Sequence, residues 1–285
     1  MILNVKAIDM EAIEQTRLVA EARHRPVKSA LRLGIEFMDS NRLLAAMTMG
    51  TFVVLTLLQA IPLLGLVASV AMGVFSQAVQ IYVGRAFYGA PDILAYVETA
   101  KTTPLKDFLT RFQAPAFGAW LGWIAVWIGM MIVFLVLFSA FGGSMEMMAE
   151  ATNDEAQMQQ MLVASGGAML PILLVFLAVL YVYPIVQGRI TVSDTFGEAF
   201  KAVFTLFSPD VWRRSMKKEY FSFVFFFGLA ITGIWILVMA VMMLLLLIPF
   251  LGAVLVTVWL MFLVYVFIMV ISVANMIAYD IAYDD

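Results

Sequence analysis

The chain has 285 residues, 64% of them hydrophobic and 13% charged, about half the roughly 25% charged content of soluble domains, which excludes a soluble globular protein. Its 17 Lys and Arg against 20 Asp and Glu leave a net charge of -3, too balanced to imply nucleic acid as a partner. With no Cys and one His, His24, disulfide frameworks, thiolate metal sites and cysteine nucleophiles are excluded as well.

Residues 1–26 make a polar segment in which Asp9, Glu11, Glu14 and Glu21 are mixed with basic residues. It lacks the short apolar core of a cleavable signal peptide and the acid-poor character of a transit peptide. Its irregular apolar pattern predicts a helix that is mobile or rests on a neighbour. From Pro26, a good first-turn residue, the stripe Val27, Ala30, Leu31, Ile35 and Met38 predicts an amphipathic helix. A stretch free of Asp, Glu, Lys and Arg then runs from 43 to 84. As one helix it would reach about 63 Å against about 30 Å of hydrocarbon, so it must turn back. The turn falls at Ile61-Pro62-Leu63-Leu64-Gly65, where Pro stops a helix interior and Gly accepts a left-handed cap. Spans are expected at 43–60 and 66–84.

Behind Pro104, Leu105, Phe108, Leu109 and Phe112 form a second stripe, ahead of a charge-free run from 112 to 145 and a span at 114–140. An outer loop at 142–167 holds Glu146, Glu150, Asp154 and Glu155, and the fourth span is placed at 168–188. A third stripe, Phe196, Ala199, Phe200, Val203 and Phe207, follows a Thr195-x-x-Glu198 capping box. The last charge-free run, 220–279, is interrupted by Ile248-Pro249-Phe250-Leu251-Gly252, nearly the words of the first turn, giving spans at 220–247 and 253–279 before an acidic tail at 280–285. The expected fold is an all-α integral membrane protein. Residues 27–279 form a single domain of six transmembrane helices in three helical-hairpin units, each preceded by a cytoplasmic amphipathic helix.

All 17 basic residues lie ahead of span one, between spans two and three, or between spans four and five. Basic residues concentrate in cytoplasmic loops, so this distribution predicts a multi-pass protein of the bacterial inner membrane with both termini in the cytoplasm. The amphipathic helices would anchor in the headgroups of an anionic leaflet or present a basic surface to a cytoplasmic partner.

Intramembrane enzymes and ion-coupled transporters hold ionisable groups inside the bundle, and these six cores contain none, which argues against a proton relay, a carboxylate pair, a metal site within the spans or voltage sensing. Gly142-Gly143-Ser144 has no His on its side of the membrane to act as base. Tyr279-Asp280 reads as a solvated helix end, because an aspartyl dyad needs two Asp within spans. His24, between Arg23 and Arg25, reads as part of a basic surface. No catalytic residue, metal or cofactor is expected. The outer-loop thioethers Met145, Met147, Met148, Met158 and Met161 would suit Cu(I), yet Met is abundant throughout, 21 residues in all.

The cores do carry uncharged polarity. Gln77, Gln80, Gln187 and Asn275, with Ser76 and Ser272, fall in the cytoplasmic half. They either line a polar pocket open to the cytoplasm or hydrogen-bond between helices as packing contacts. Small-residue steps at Gly65, Ser69 and Gly73 and at Ala114, Gly118 and Gly122 predict close helix packing, within the chain or with another subunit. Trp120, Trp123 and Trp127 read as a lipid-facing or interface stripe.

The Arg32-Leu33-Gly34 approach, the two Pro-Gly turns and Phe196-Gly197-Glu198-Ala199-Phe200 before span five give a layout that resembles uncharacterised bacterial polytopic membrane proteins, similar to the membrane domain attached to some glycerophosphodiester phosphodiesterases. The hydrolase domain of such proteins is not in this chain, so the resemblance carries no catalytic residues over. The expected function is a noncatalytic integral subunit or assembly scaffold of a larger membrane complex, with the bilayer and other membrane subunits as partners. The alternative is a passive small-solute facilitator or lipid-handling protein that uses the amide cluster.

Overall fold

The computed structural model describes residues 17–140, 155–248 and 251–284. The Gly142-Gly143-Ser144 site, most of the outer loop, the start of the N-terminal segment and the middle of the second Pro-Gly turn lie outside the described residues, as do the side chains of Met158 and Met161. What is described is all-helical: α1 (Arg17–His24), α2 (Pro26–Ser40), α3 (Arg42–Gln59), α4 (Leu64–Tyr88), α5 (Ile93–Thr102), α6 (Leu105–Thr110), α7 (Gln113–Ala140), α8 (Glu155–Val192), α9 (Phe196–Phe204), α10 (Pro209–Ser215), α11 (Lys218–Leu246) and α12 (Gly252–Tyr283). Six stretches, Arg42–Gln59, Leu64–Tyr88, Gln113–Ala140, Leu170–Val192, Lys218–Leu246 and Val254–Tyr283, are long and apolar enough to cross a membrane. The chain is a multi-pass membrane protein. Helix α8 starts inside the stretch expected as an outer loop and runs on through Pro171 and Pro184.

The first turn differs from expectation in one residue. The left-handed backbone belongs to Leu63, at φ 69°, and not to Gly65. Pro62 has its own φ fixed by its ring, so the chain reverses two residues early, and the Leu63 side chain, 90% exposed, meets little steric opposition. Gly65 is needed for closeness: a Cβ there would come 2.5 Å from the Gln59 carbonyl oxygen. The second turn repeats this, with a Cβ at Gly252 falling 2.6 Å from the Leu245 carbonyl.

In lipid, apolar surface gives no drive for helices to associate, so close backbone approach must do the work. At Gly34, α2 crosses α12 so tightly that a Cβ would lie 2.6 Å from Val270 Cα. The small face of α7 receives no membrane span. Gly118 and Gly122 seat α9, whose Phe196 carbonyl and Val203 side chain occupy the space a Cβ would need, while Ala114 is exposed. The capping box at Thr195 and Glu198 starts α9 in that position. On α4, Gly73 lies under the indole of Trp120, and Ser69 is exposed and turns back on the Gly65 carbonyl, 2.8 Å.

Buried side chains gather at the charged end of the bundle, where Phe37, Tyr96 and Phe108 stack beneath Tyr82, with ring centroids 4.9 to 6.4 Å apart. Asn41 caps α3 through Leu44 N–H at 3.0 Å, and its amide donates to the Ala100 and Thr103 carbonyls, each at 3.0 Å, tying α3 to the end of α5. Arg85 donates to the Thr191 and Ser193 carbonyls, both at 2.6 Å, and to Asp194 at 2.7 Å. Its guanidinium also lies 4.6 Å over Phe112. Arg189 joins Asp210, 3.0 Å, to the Tyr283 hydroxyl, 2.7 Å.

The Asp210 carboxylate feels two opposing effects. Partial burial disfavours its charge, but Arg214, Arg189 and Arg213 outweigh that and hold it below the usual carboxylate range. With the folded value below the unfolded one, its stabilising contribution is present above the ordinary Asp range and is lost as pH falls through the folded value. Thermal unfolding in detergent between about pH 6 and about pH 3 should therefore fall less steeply for Asp210→Asn than for the parent chain. Identical slopes would remove Asp210 from the account.

Candidate functional site

The predicted amide cluster is drawn from α4, α8 and α12. Gln187 donates to Gln77 Oε1 at 2.8 Å, and Tyr183 donates its hydroxyl to Gln80 Oε1 at 3.3 Å. Ser272 turns back on the Ile268 carbonyl at 2.5 Å. Gln80, Gln187 and Asn275 are buried. Two amide contacts thus tie α4 to α8.

Asn275 is different. It is 1% exposed, and neither its amide nitrogen nor its oxygen has a hydrogen-bond partner among the described residues. An amide left unpaired in an apolar medium costs on the order of 1–3 kcal/mol. The residue sits about 12 Å along α12 from its last residue, Tyr283, inside the apolar stretch.

Asn275 also forms part of the wall of a lateral cleft of about 360 Å³ between α8, α11 and α12, a volume at the lower end for small-molecule sites. Buried Phe223 and Ala274 line it beside Asn275, whereas Leu177, Leu180 and Phe225 line it from lipid-exposed positions. Toward the charged end α8 and α11 are stitched together. Tyr220 donates to the Tyr181 carbonyl at 2.6 Å, Tyr181 donates to the Ser215 carbonyl, and the Tyr181 and Tyr220 rings meet edge to face at 5.5 Å. The cleft is therefore bounded by these tyrosines toward the charged end and flanked by exposed apolar side chains.

No protein-family model matches the chain, and no curated protein or solved structure is significantly similar to it. Among the described residues no group of three His, Asp or Glu side chains is placed to hold a metal.

Two groups at this site were not singled out from sequence, and a third was misplaced. Tyr181 and Tyr183 carry the hydroxyls that organise α8, and Tyr-x-Tyr-Pro within an apolar run was the available signal. The third is Asp280, which is corrected: it is not a solvated helix end but 5% exposed, because α1 folds back over the end of α12 and places Arg23 Nε 3.4 Å from its carboxylate. Of the tryptophans, Trp127 is exposed, whereas Trp123 packs on Tyr183 at 5.4 Å.

Proposed function

We propose that this chain is a noncatalytic, lipid-handling protein of the bacterial inner membrane. The charged end of the bundle and both termini lie in the cytoplasm, and the lateral cleft admits part of a lipid from the adjoining leaflet. The observation that carries this is Asn275: a buried amide whose donor and acceptor both lack a partner among the described residues, in a residue on the wall of an apolar cleft. Such a site is matched by a lipid offering one acceptor and one donor, and the ester carbonyl and free hydroxyl of a diacylglycerol are the simplest pair.

Native mass spectrometry of the full chain with dioleoylglycerol tests it. The parent chain should bind, and Asn275→Leu should lose about tenfold or more in affinity. The delipidated Asn275→Leu protein should also unfold at higher temperature, because the variant removes an unpaired amide worth on the order of 1–3 kcal/mol. Unchanged lipid binding, or a lower unfolding temperature, would show that the amide is satisfied by the bundle itself and would overturn the reading.

A second reading, a noncatalytic subunit or scaffold of a larger complex, is favoured by α11. Only 6% of its most apolar stretch is buried, against 33% in α4. Photocrosslinkers placed at exposed Leu229 and Ile236 in native membranes should capture a membrane protein under this reading. Crosslinks to lipid alone reject it.

A further inference from the structure

The other flank of α11 carries a separate cavity of about 880 Å³, between the joint of α1 and α2, the first turns of α11 and the end of α12. Four permanent cations line it, Arg23, Arg25, Lys28 and Lys217, with His24 beside them, against the two carboxylates Glu219 and Asp284. Two of the cations are held in place. Arg23 pairs with Asp284 and, at 3.4 Å, with Asp280, and Lys217 donates to the Asp284 carbonyl. Arg25 and Lys28 are exposed and enter no ion pair among the described residues. The wall changes character one turn further along α11, where Phe223 and Phe226 replace charge, with Ile281 facing them from α12.

We infer that this cavity binds an anionic phospholipid, its phosphoryl group held by Arg25 and Lys28 and its upper acyl chain resting on Phe226. The cations sit where α11 begins its apolar stretch at Lys218, the depth at which a bilayer places its phosphates. The uncompensated positive charge selects an anion. Two aromatic rings directly below that charge select an amphiphile over a small ion, since a free phosphate has no use for an apolar floor. This site stands apart from the cleft at Asn275: the two share only Phe223, so either can fail without the other.

The test uses the full chain purified in mild detergent, with phosphatidylglycerol and phosphatidylcholine of the same acyl chains, followed by native mass spectrometry. The parent chain should retain phosphatidylglycerol in preference to phosphatidylcholine. The double substitution Arg25→Gln, Lys28→Gln should lower that preference by about thirtyfold. Its unfolding temperature should stay unchanged, because neither side chain is ion-paired among the described residues. Arg25→Lys with Lys28→Arg, which keeps the charge, should keep the preference. Equal retention of the two lipids by the parent chain, or an undiminished preference in the neutral double variant, overturns the inference. Displacement of phosphatidylglycerol by equimolar inorganic phosphate also overturns it, by assigning the cavity to a free anion.

Discussion

Gly118→Ala is expected to destabilise the protein by about 3 kcal/mol, at the upper end of what added bulk in a packed core costs. A single methyl group at this position overlaps the carbonyl oxygen of Phe196, and backbone cannot swing aside as the tip of a long side chain can. Either α9 lifts from α7 or α7 bends, and both also disturb Gly122, where Val203 Cγ2 already stands 2.8 Å from where a Cβ would be. Gly129→Ala on the same helix is the control. Nothing lies within 4 Å of its Cβ position, and alanine favours a helix by about 0.5–1 kcal/mol over glycine. Thermal unfolding in one detergent should show a large drop for the first variant and none for the second. Equal effects would mean that α9 is not seated as described.

Arg85→Gln comes next, with an expected loss of about 2–3 kcal/mol. The bond to Asp194 contributes little to this, because that carboxylate is 63% exposed and water screens it. The loss comes from the Thr191 and Ser193 carbonyls, which close the end of α8, and from the stacking on Phe112. Arg85→Lys should recover less than half of it. A single ammonium cannot address three acceptors in a fixed fork or lie flat on a ring. A lysine variant as stable as the parent would reduce Arg85 to a simple countercharge.

The six spans were legible because hydrocarbon tolerates no charge, so an interval without Asp, Glu, Lys or Arg is itself a structural signal. Their far ends are less so: by sequence Glu155 belongs to a loop, yet it begins a helix. Helix α5 was not anticipated. Its sequence, Ile93 to Thr102, mixes polar and apolar residues too evenly for a stripe to stand out, and what holds it is remote, Asn41 from the start of α3 and Leu33 from α2, whose carbonyl accepts from Tyr96 at 3.2 Å. The small-residue faces were visible in sequence, but their partners were not. Composition says that something approaches Gly118 closely without saying that it is α9 rather than another span. The amides were found by residue type. That Gln77 and Gln187 pair while Asn275 is left over depends on the relative rotation of three helices, which no local pattern encodes.

Cohesion in this molecule is lopsided. The arginine clamps and most buried side chains lie at the charged end, whereas Leu63, Leu66 and Leu247 at the opposite tips are each at least 74% exposed. A bilayer that thins or thickens will therefore be accommodated by tilting and spreading of the tips, with the charged end keeping its shape. In membranes of graded chain length, distances between labels near Leu66 and Leu247 should vary with thickness, while those between labels near Ser193 and Asp284 stay constant.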